Sequence, residues 1–207
     1  MVIAGALGHA KEVFGVLAEL EQTEGICFYD DVTPDIPNVV LGGYRVLRTE
    51  EELKSHFRDD RRYILGVGPP KARRILDKKM SAAGGELISI VSPFARVGTI
   101  QVSLGEGLNI MTGAVITQDI KIGKGTLVHI NATIHHDCII GEFCEISPGA
   151  HILGRVKLGD DVSVGSGAVI LPGVTVGNGA IIGANATVTK NIANGIKVAG
   201  SPAQPLT

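Results

Sequence analysis

The sequence predicts two domains of different fold class, an α/β domain over residues 1–92 followed by a parallel β-helix over residues 93–207. Two patterns lead to this division: strand-like and helix-like segments alternate up to about residue 92, and an aliphatic residue then recurs every sixth position. Composition agrees, because aromatic residues make up only 4% while glycine reaches 28 residues. A core with so few rings must be filled by aliphatic side chains in a regular lattice.

The N-terminal segments alternate between strand and helix. "VIAGALG" reads as a strand that runs into a glycine turn, "HAKEVFGVLAELEQ" as a helix, "GICFYDD" as a strand ending in acids, and "RRYILGVG" as a third strand. "PPKARRILDKKMSAAGG" has proline at the start of a helix and glycine after its end, and "ELISIVSP" reads as a fourth strand leading out of the domain. This order predicts a small parallel sheet of Rossmann type.

The second half repeats every six residues. From Leu104 to Val188 each sixth position is aliphatic, and Gly105, Gly123, Gly141, Gly159 and Gly177 add a period of eighteen. Hexads grouped in threes describe a triangular coil with three short strands per turn, whose rungs are stacked roughly 4.8 Å apart. Cys138 and Cys144 fall on the small inward positions of consecutive hexads and are predicted to fill the core.

Charge and hydropathy narrow the possible partners. The net charge is −2 and no basic run exceeds two residues, which argues against nucleic acid or an anionic membrane as a partner. No apolar run approaches the ~20 residues needed to span a bilayer, and the N-terminus lacks a signal-peptide layout. The three cysteines have no metal-like spacing. We therefore expect a soluble cytoplasmic protein without membrane insertion.

One stretch of the repeat, "INATIHHDCIIGEFCEISPGAHILG", places His135, His136 and Asp137 side by side among apolar residues and glycines. If Ile134 points into the core, His136 lies two residues further along the same side of the triangle. Gly154, eighteen residues later, falls at the equivalent place one rung above. Adjacent residues of a strand face opposite sides, so His135 would point toward a subunit interface or the core. Without further information, these histidines could also simply occupy a corner or a subunit contact.

The motifs "VIAGALGHAKEV", "FYDD", "LGVGPPKARRI", "HHDCIIGEFCEISPGA" and "VAGSPAQPL", in this order, resemble one family over nearly the whole chain. This family is the hexapeptide-repeat sugar O- and N-acetyltransferases, typified by the sialic-acid O-acetyltransferase and the bacillosamine-pathway UDP-amino-sugar N-acetyltransferase. The resemblance implies a left-handed β-helix, an obligate homotrimer and acetyl-CoA as co-substrate, bound in the groove between subunits. No metal is expected.

The resemblance also implies roles for residues of the repeat. His136 would be the general base, Asp137 the carboxylate that orients it, and the backbone N–H of Gly154 the donor to the thioester oxygen, with Gly149 and Ala150 in the acetyl-CoA-binding segment. This set makes chemical sense, because the attacking group must lose a proton and the oxyanion that forms needs a preplaced donor. Where the bacillosamine-type pattern has a second histidine, this chain has Glu145, and a basic residue usual after the C-terminal Pro-Ala is replaced by Gln204.

In the N-terminal domain, the resemblance assigns the nucleotide-sugar to the loop "GALGHAKEV" and to neighbouring strand ends. The expected acceptor-binding residues are Gly5, Gly8, His9, Asp30, Asp31, Gly68 and Glu145. Each also has a structural interpretation: glycines serve many strand-to-helix turns, the GxGxxG fingerprint is not met, and paired acids can form a solvated turn. Arg73 and Arg74 are predicted to be exposed charges on their helix.

These observations favour an acetyl-CoA-dependent N-acetyltransferase acting on a nucleotide-linked amino sugar, for bacterial surface glycan or glycoprotein biosynthesis. The alternative within the class is O-acetylation of the sialic-acid type. From other classes, a γ-type zinc carbonic anhydrase or a non-catalytic nucleotide-sugar binder stays open, the former with His129, His135, His136 and His151 as candidate ligands. The sequence does not choose between UDP, dTDP and GDP as carrier.

Overall fold

The computed structural model describes residues 1–206 and confirms the predicted fold class. The front domain is a sheet with strand order β3-β4-β2-β1-β5-β6, in which β3 is antiparallel to β4 and the other pairs are parallel. Its elements are β1 (Val2–Ala4), α1 (Gly8–Glu19), β2 (Cys27–Tyr29), β3 (Val39–Val40), β4 (Tyr44–Leu47), α2 (Glu50–His56), β5 (Arg62–Leu65), α3 (Pro70–Ala82) and β6 (Glu86–Leu87). Because β1 pairs with β2 on one side and β5 on the other, the carboxyl end of β1 lies at the switch point where ligands bind in such sheets.

Two features of the front domain were not predicted. The segment after Asp31 contributes β3, β4 and α2, and α2 begins with a capping box in which Thr49 and Glu52 satisfy each other's backbone N–H groups. The single fourth strand expected over "ELISIVSP" is wrong. Glu86–Leu87 pairs with β5, whereas Ile90–Val91 already pairs with Asn109–Ile110 in the second domain. The chain therefore passes from one architecture to the other between Leu87 and Ile90.

The second domain is a left-handed β-helix with three flat sides, here called the first, second and third sheets. The first sheet contains Ile90–Val91, Asn109–Ile110, Leu127–Val128, Glu145–Ile146, Ser163–Val164, Ile181–Ile182, Lys197–Ala199 and the antiparallel Gln204–Pro205. The second contains Arg96–Val97, Val115–Ile116, Thr133–Ile134, His151–Ile152, Val169–Ile170 and Thr187–Val188. The third contains Val102–Leu104, Ile120–Ile122, Ile139–Ile140, Lys157–Leu158 and Thr175–Val176.

The eighteen-residue period fixes the register of the coil. Leu127 pairs with Glu145 and Glu145 with Ser163, so equivalent residues of successive rungs are stacked directly above one another. Every aliphatic residue of the hexad from Ile110 to Val188 is buried, and only Leu104, at the start, is exposed. Cys138 and Cys144 lie in the same core as predicted, and burial raises the pKa of the Cys144 thiol to about 12.

The front domain packs on the first sheet. Leu127 of that sheet and Met111, which follows the strand Asn109–Ile110, share a hydrophobic cluster with β1, α1 and β2. Phe143 joins the cluster on the other face of the front sheet. No helix within residues 1–206 combines the length and apolarity that crossing a membrane requires.

Candidate active site

A cavity of about 320 Å³ opens at the carboxyl end of the front sheet. Six of the predicted acceptor-binding residues line it: Gly5, Gly8, His9, Asp30, Asp31 and Gly68. The seventh, Glu145, comes from the first sheet, and its Oε1 lies 2.8 Å from the position that a Cβ on Gly68 would occupy. The structure thus brings together residues from three loops of the front domain and one strand of the coil.

Gly5 and Gly8, which both line this cavity, differ in whether a side chain would fit in their place. Gly5 has φ +116°, and an added Cβ would lie 2.9 Å from the Gly66 carbonyl oxygen, so only glycine fits there. Gly8 opens α1, and nothing lies within 4 Å of where its Cβ would be. The helix has no side-chain cap and no acid in its first turn, so its N-terminal N–H groups and dipole favour an anion in the cavity.

The two acids after β2 differ in their contacts. Asp30 is buried, and its carboxylate accepts hydrogen bonds from the backbone N–H groups of Val32 and Thr33 and from the Thr33 hydroxyl. Both of its oxygens hold the turn, so Asp30 is a structural residue of the cavity wall. Asp31 pairs with Lys79 of α3; partial burial alone would raise the pKa of Asp31, but the hydrogen bond from Lys79 lowers it below the usual range.

Arg73 corrects the prediction of an exposed helix charge. Its side chain is completely buried, and its guanidinium donates to the backbone carbonyls of Gly125, Leu65 and Val67 and to Oδ1 of Asn109. All four acceptors are neutral, and burial lowers the pKa of Arg73 to about 9, so the group stays charged at neutral pH. Arg73 therefore fastens the β5–α3 loop, which lines the cavity, to two rungs of the coil.

Arg74 agrees better with the prediction of an exposed helix charge. It is partly exposed, donates to Asp161 at 2.9 Å, and lies over the ring of Phe143 with 4.3 Å between the guanidinium carbon and the ring centroid. The neighbouring arginines thus both reach the coil, but only Arg73 is enclosed.

Next to the cavity, two imidazoles and two carboxylates gather at the junction between the domains; we call this set the junction cluster. It consists of His9 and Glu12 of α1 with His129 and Glu145 of the coil. Nδ1 of His9 lies 3.0 Å from Glu12 Oε2, and Nε2 of His129 lies 3.8 Å from Glu145 Oε1. Burial lowers the pKa of His9 to about 4, so this ring is neutral at physiological pH.

The other predicted group lies on the edge where the second sheet turns into the third. Nδ1 of His136 and Oδ2 of Asp137 are 2.6 Å apart, which leaves Nε2 of the imidazole available to substrate. This hydrogen bond lowers the pKa of Asp137. Asp137 has φ +63°, a left-handed conformation that aspartate tolerates better than most residues and that turns its carboxylate toward the preceding ring.

Gly154 lies directly against the imidazole, as the lattice predicts. A Cβ at Gly154 would be 2.5 Å from Cε1 and 2.7 Å from Nε2 of His136, so any side chain there would displace the ring. Among residues 1–206 no backbone acceptor takes the N–H of Gly154, while the next N–H, of Arg155, donates to the His136 carbonyl. The residue that contacts the imidazole thus has a free backbone N–H, and Nε2 of the ring is also without a partner within these residues.

The remaining predicted coenzyme contacts lie elsewhere. Gly149 and Ala150 are on the edge between the first and second sheets, and the N–H of Gly149 donates to the Ile130 carbonyl. The Ala150 side chain is fully buried in the core, and its N–H donates to the Ser147 carbonyl. The predicted contact of Ala150 with the coenzyme therefore cannot come from its side chain.

Comparison with known proteins agrees with this architecture. The bacterial transferase hexapeptide model matches residues 119–154 and 155–190, and the PglD N-terminal domain model matches residues 1–80. The acetyltransferase domain of PglB from Neisseria gonorrhoeae FA1090 is 32% identical with a TM-score of 0.86, covering 99% of this chain and 98% of that one. The chain belongs to the hexapeptide-repeat sugar acetyltransferases.

Two further solved structures show the same two-domain arrangement. WeeI from Acinetobacter baumannii AYE is 29% identical with a TM-score of 0.90, covering 99% of this chain and 98% of its own. PerB from Caulobacter crescentus, solved with CoA and GDP-perosamine, is 29% identical with a TM-score of 0.86, covering 100% and 96%. Comparison with curated protein sequences gives no match.

Within this acetyltransferase the four histidines of the zinc alternative do not gather. His129 is on the first sheet, His151 is on the second and bonds Thr133, and His135 and His136 begin the edge beyond it.

The buried pairing of His129 with His9 was not predicted. A signal existed for Arg73, because Arg73, Asp77 and Met80 recur at helical spacing and form the buried face of α3.

Proposed function

We propose that this chain is an acetyl-CoA-dependent N-acetyltransferase that acts on a nucleotide-linked amino sugar, supplying bacterial surface glycan or glycoprotein biosynthesis. The observation that carries the proposal is the His136–Asp137 pair together with Gly154, which contacts the imidazole and whose backbone N–H has no backbone acceptor within residues 1–206. Its relatives support the substrates, since PglB was solved with acetyl coenzyme A and PerB with CoA and GDP-perosamine.

In the proposed reaction, the amine nitrogen of the sugar attacks the thioester carbonyl carbon. Nε2 of His136 takes the proton from the amine, while Asp137 holds the ring through Nδ1 and stabilises its charged form. The Gly154 N–H donates to the oxygen as it becomes negative. The C–S bond then breaks, and coenzyme A leaves as the thiol after accepting a proton.

The nucleotide part of the acceptor is assigned to the front cavity. The N–H groups that open α1 at Gly8 would hold its diphosphate, and Asp31 would contact the nucleoside at the end of β2. His9 and Glu145, which lie at the coil side of the cavity, would then face the amino sugar. This assignment leaves the identity of the carrier open.

A second copy of the chain is required by this assignment. The front cavity adjoins the first sheet, whereas His136 is on the opposite edge of the triangle, between the second and third sheets. An acceptor in the cavity therefore meets the base of a neighbouring subunit. We propose a homotrimer of roughly three times 21.6 kDa that works in the cytoplasm. A light-scattering mass of the monomer at micromolar concentration would contradict the proposal.

The function is tested by a screen of UDP-, dTDP- and GDP-linked amino sugars with acetyl-CoA, following release of free thiol. We expect turnover with at least one amino sugar and none with its hydroxyl analogue. The product should keep its acetyl group in mild hydroxylamine, as an amide does and an ester does not. Turnover restricted to a hydroxyl acceptor would establish the O-acetyl alternative instead.

A further inference from the structure

The junction cluster brings together donor atoms of the kind that bind transition-metal ions. One ring nitrogen of His9, one of His129 and a carboxylate oxygen of Glu12 all lie within 4.8 Å of one another. Glu12 Oε2 is 3.0 Å from Nδ1 of His9 and 3.7 Å from Nδ1 of His129. Imidazole and carboxylate together are a donor set that suits zinc and its neighbours in the first transition series.

One imidazole nitrogen of this cluster is buried without a partner. His129 is only 8% exposed, and its Nδ1 has no hydrogen-bond partner within residues 1–206. The 3.7 Å that separates this nitrogen from Glu12 Oε2 is too long for a hydrogen bond. An unsatisfied polar atom in a buried place costs free energy, and a metal ion bound to that nitrogen would remove the cost.

The spacing of the donor atoms is close to that of a tetrahedral zinc site. Bonds of ~2.0–2.1 Å from zinc to nitrogen and oxygen place neighbouring ligand atoms roughly 3.3–3.4 Å apart. The 3.0 and 3.7 Å distances to Glu12 Oε2 lie on either side of this value. The Glu12 side chain can move to close the site, because it is 44% exposed, whereas the rings of His9 and His129 are buried.

A second carboxylate lies beside the other nitrogen of His129. Glu145 Oε1 is 3.8 Å from Nε2 of this ring. An imidazole that binds a metal commonly donates its other N–H to a carboxylate, which fixes the orientation of the ring. Glu12 and Glu145 also supply two negative charges, against the single opposing charge of the buried Arg73 guanidinium. The charge of the cluster therefore favours a cation.

We propose that His9, Glu12 and His129 bind a divalent transition-metal ion, with Zn²⁺ as the best match, and that Glu145 orients the His129 ring. Three protein ligands leave the fourth tetrahedral position to water. Because His9 and Glu12 belong to α1 and His129 to the coil, the ion would link the two domains. The acetyl transfer proposed above uses no metal, so the ion is not part of that chemistry.

The ion would regulate the binding of the acceptor. His9 lines the front cavity, and its ring cannot bind the metal and face the amino sugar at the same time. Zn²⁺ should therefore raise the KM for the acceptor and leave the KM for acetyl-CoA unchanged. This consequence rests on the proposed function, whereas metal binding itself does not.

The test is titration of the metal-free full chain with Co²⁺, followed by visible absorption, and then displacement of the Co²⁺ by Zn²⁺. Tetrahedral Co²⁺ absorbs far more strongly than the octahedral aqua ion, so the spectrum reports the coordination. Wild type should bind one equivalent per chain with a tetrahedral spectrum. Glu12→Gln preserves the size of an exposed side chain and should weaken binding at least tenfold, and Glu145→Gln should weaken it about tenfold.

His151→Asn is the matched control, because it removes an exposed histidine on the second sheet, and it should bind Co²⁺ like wild type. A wild type without the tetrahedral spectrum, or a Glu12→Gln variant that binds as tightly as wild type, would overturn the proposal. Unchanged binding in His129→Asn would show that the unpartnered nitrogen is not a ligand, with the same consequence. Loss of metal binding beside intact acetyl transfer contradicts only this inference, and metal binding without any acetyl transfer contradicts only the proposed function.

Discussion

The edge that carries His136 and the junction that carries His9 are built in different ways. On the edge, two consecutive residues and a glycine one rung above form the whole arrangement, and the His136 side chain is 56% exposed. At the junction, His9, Arg73, Asn109, His129 and Glu145 come from separate segments, and most of these side chains are buried. The repeat alone thus forms the small exposed site at His136, whereas the arrangement at the junction depends on the packing of two domains against each other.

A substitution on the edge should therefore lower activity without lowering the stability of the protein. His136→Ala is expected to lower kcat about 10²–10⁴-fold, because it removes the proposed general base while the core beneath it is untouched. Thermal unfolding should stay close to wild type. The measurement is steady-state kinetics with saturating acetyl-CoA and acceptor, once an acceptor is known.

His151→Ala is the matched control, since this exposed histidine lies on the second sheet and bonds only Thr133. His135→Ala and Glu145→Ala should be measured in parallel. More than half of the wild-type kcat in His136→Ala, with loss of turnover in either of the other two, would identify a different base.

The junction should show the opposite behaviour, with stability lost first. Arg73→Met leaves the carbonyls of Gly125, Leu65 and Val67 and Oδ1 of Asn109 without their donor in a buried place. We expect the free energy of unfolding to fall by about 3–5 kcal/mol. Urea denaturation measures this directly.

Arg74→Met is the control for that variant, because it removes a neighbouring guanidinium that is partly exposed and ion-paired with Asp161. Its effect should stay below about 1 kcal/mol. Equal losses for the two variants would show that burial of Arg73 does not set the difference between them.

The junction should also respond to acid through His9. The pKa of His9 is about 4 in the folded chain and near 6.5 when unfolded, so between these values the unfolded chain binds a proton that the folded chain does not. Stability therefore falls as the pH falls from 6.5 to 4, by about 2 kcal/mol at pH 5. His9→Asn should lose this component, as urea denaturation at pH 7 and pH 5 would reveal. An unchanged pH dependence in the variant would contradict the buried, neutral state of His9.

The edge could be predicted from the sequence much further than the junction could. The coil, its inward residues and the contact of His136 with Gly154 could be predicted because a periodic lattice relates residues eighteen apart. The burial of Arg73 could be read from helical spacing, but its partners could not, since Gly125 and Asn109 are 52 and 36 residues away and belong to the other domain. The segment 32–60 shows neither the helical nor the strand period of apolar residues clearly, so β3, β4 and α2 were not predicted. The Thr49–Glu52 capping box could have indicated the start of α2.

The central claim is that acceptor and base meet only between copies of the chain, and mixed oligomers test it most directly. Two inactive variants are needed, His136→Ala, which keeps the front cavity, and Gly8→Val, which fills open space in it and keeps the base. Each should be inactive alone. Refolded or co-expressed at equal amounts, they should regain about a quarter of wild-type activity, because one interface in four pairs an intact cavity with an intact His136. A mixture that stays inactive, while light scattering shows that mixed oligomers have formed, would mean that cavity and base must belong to the same chain.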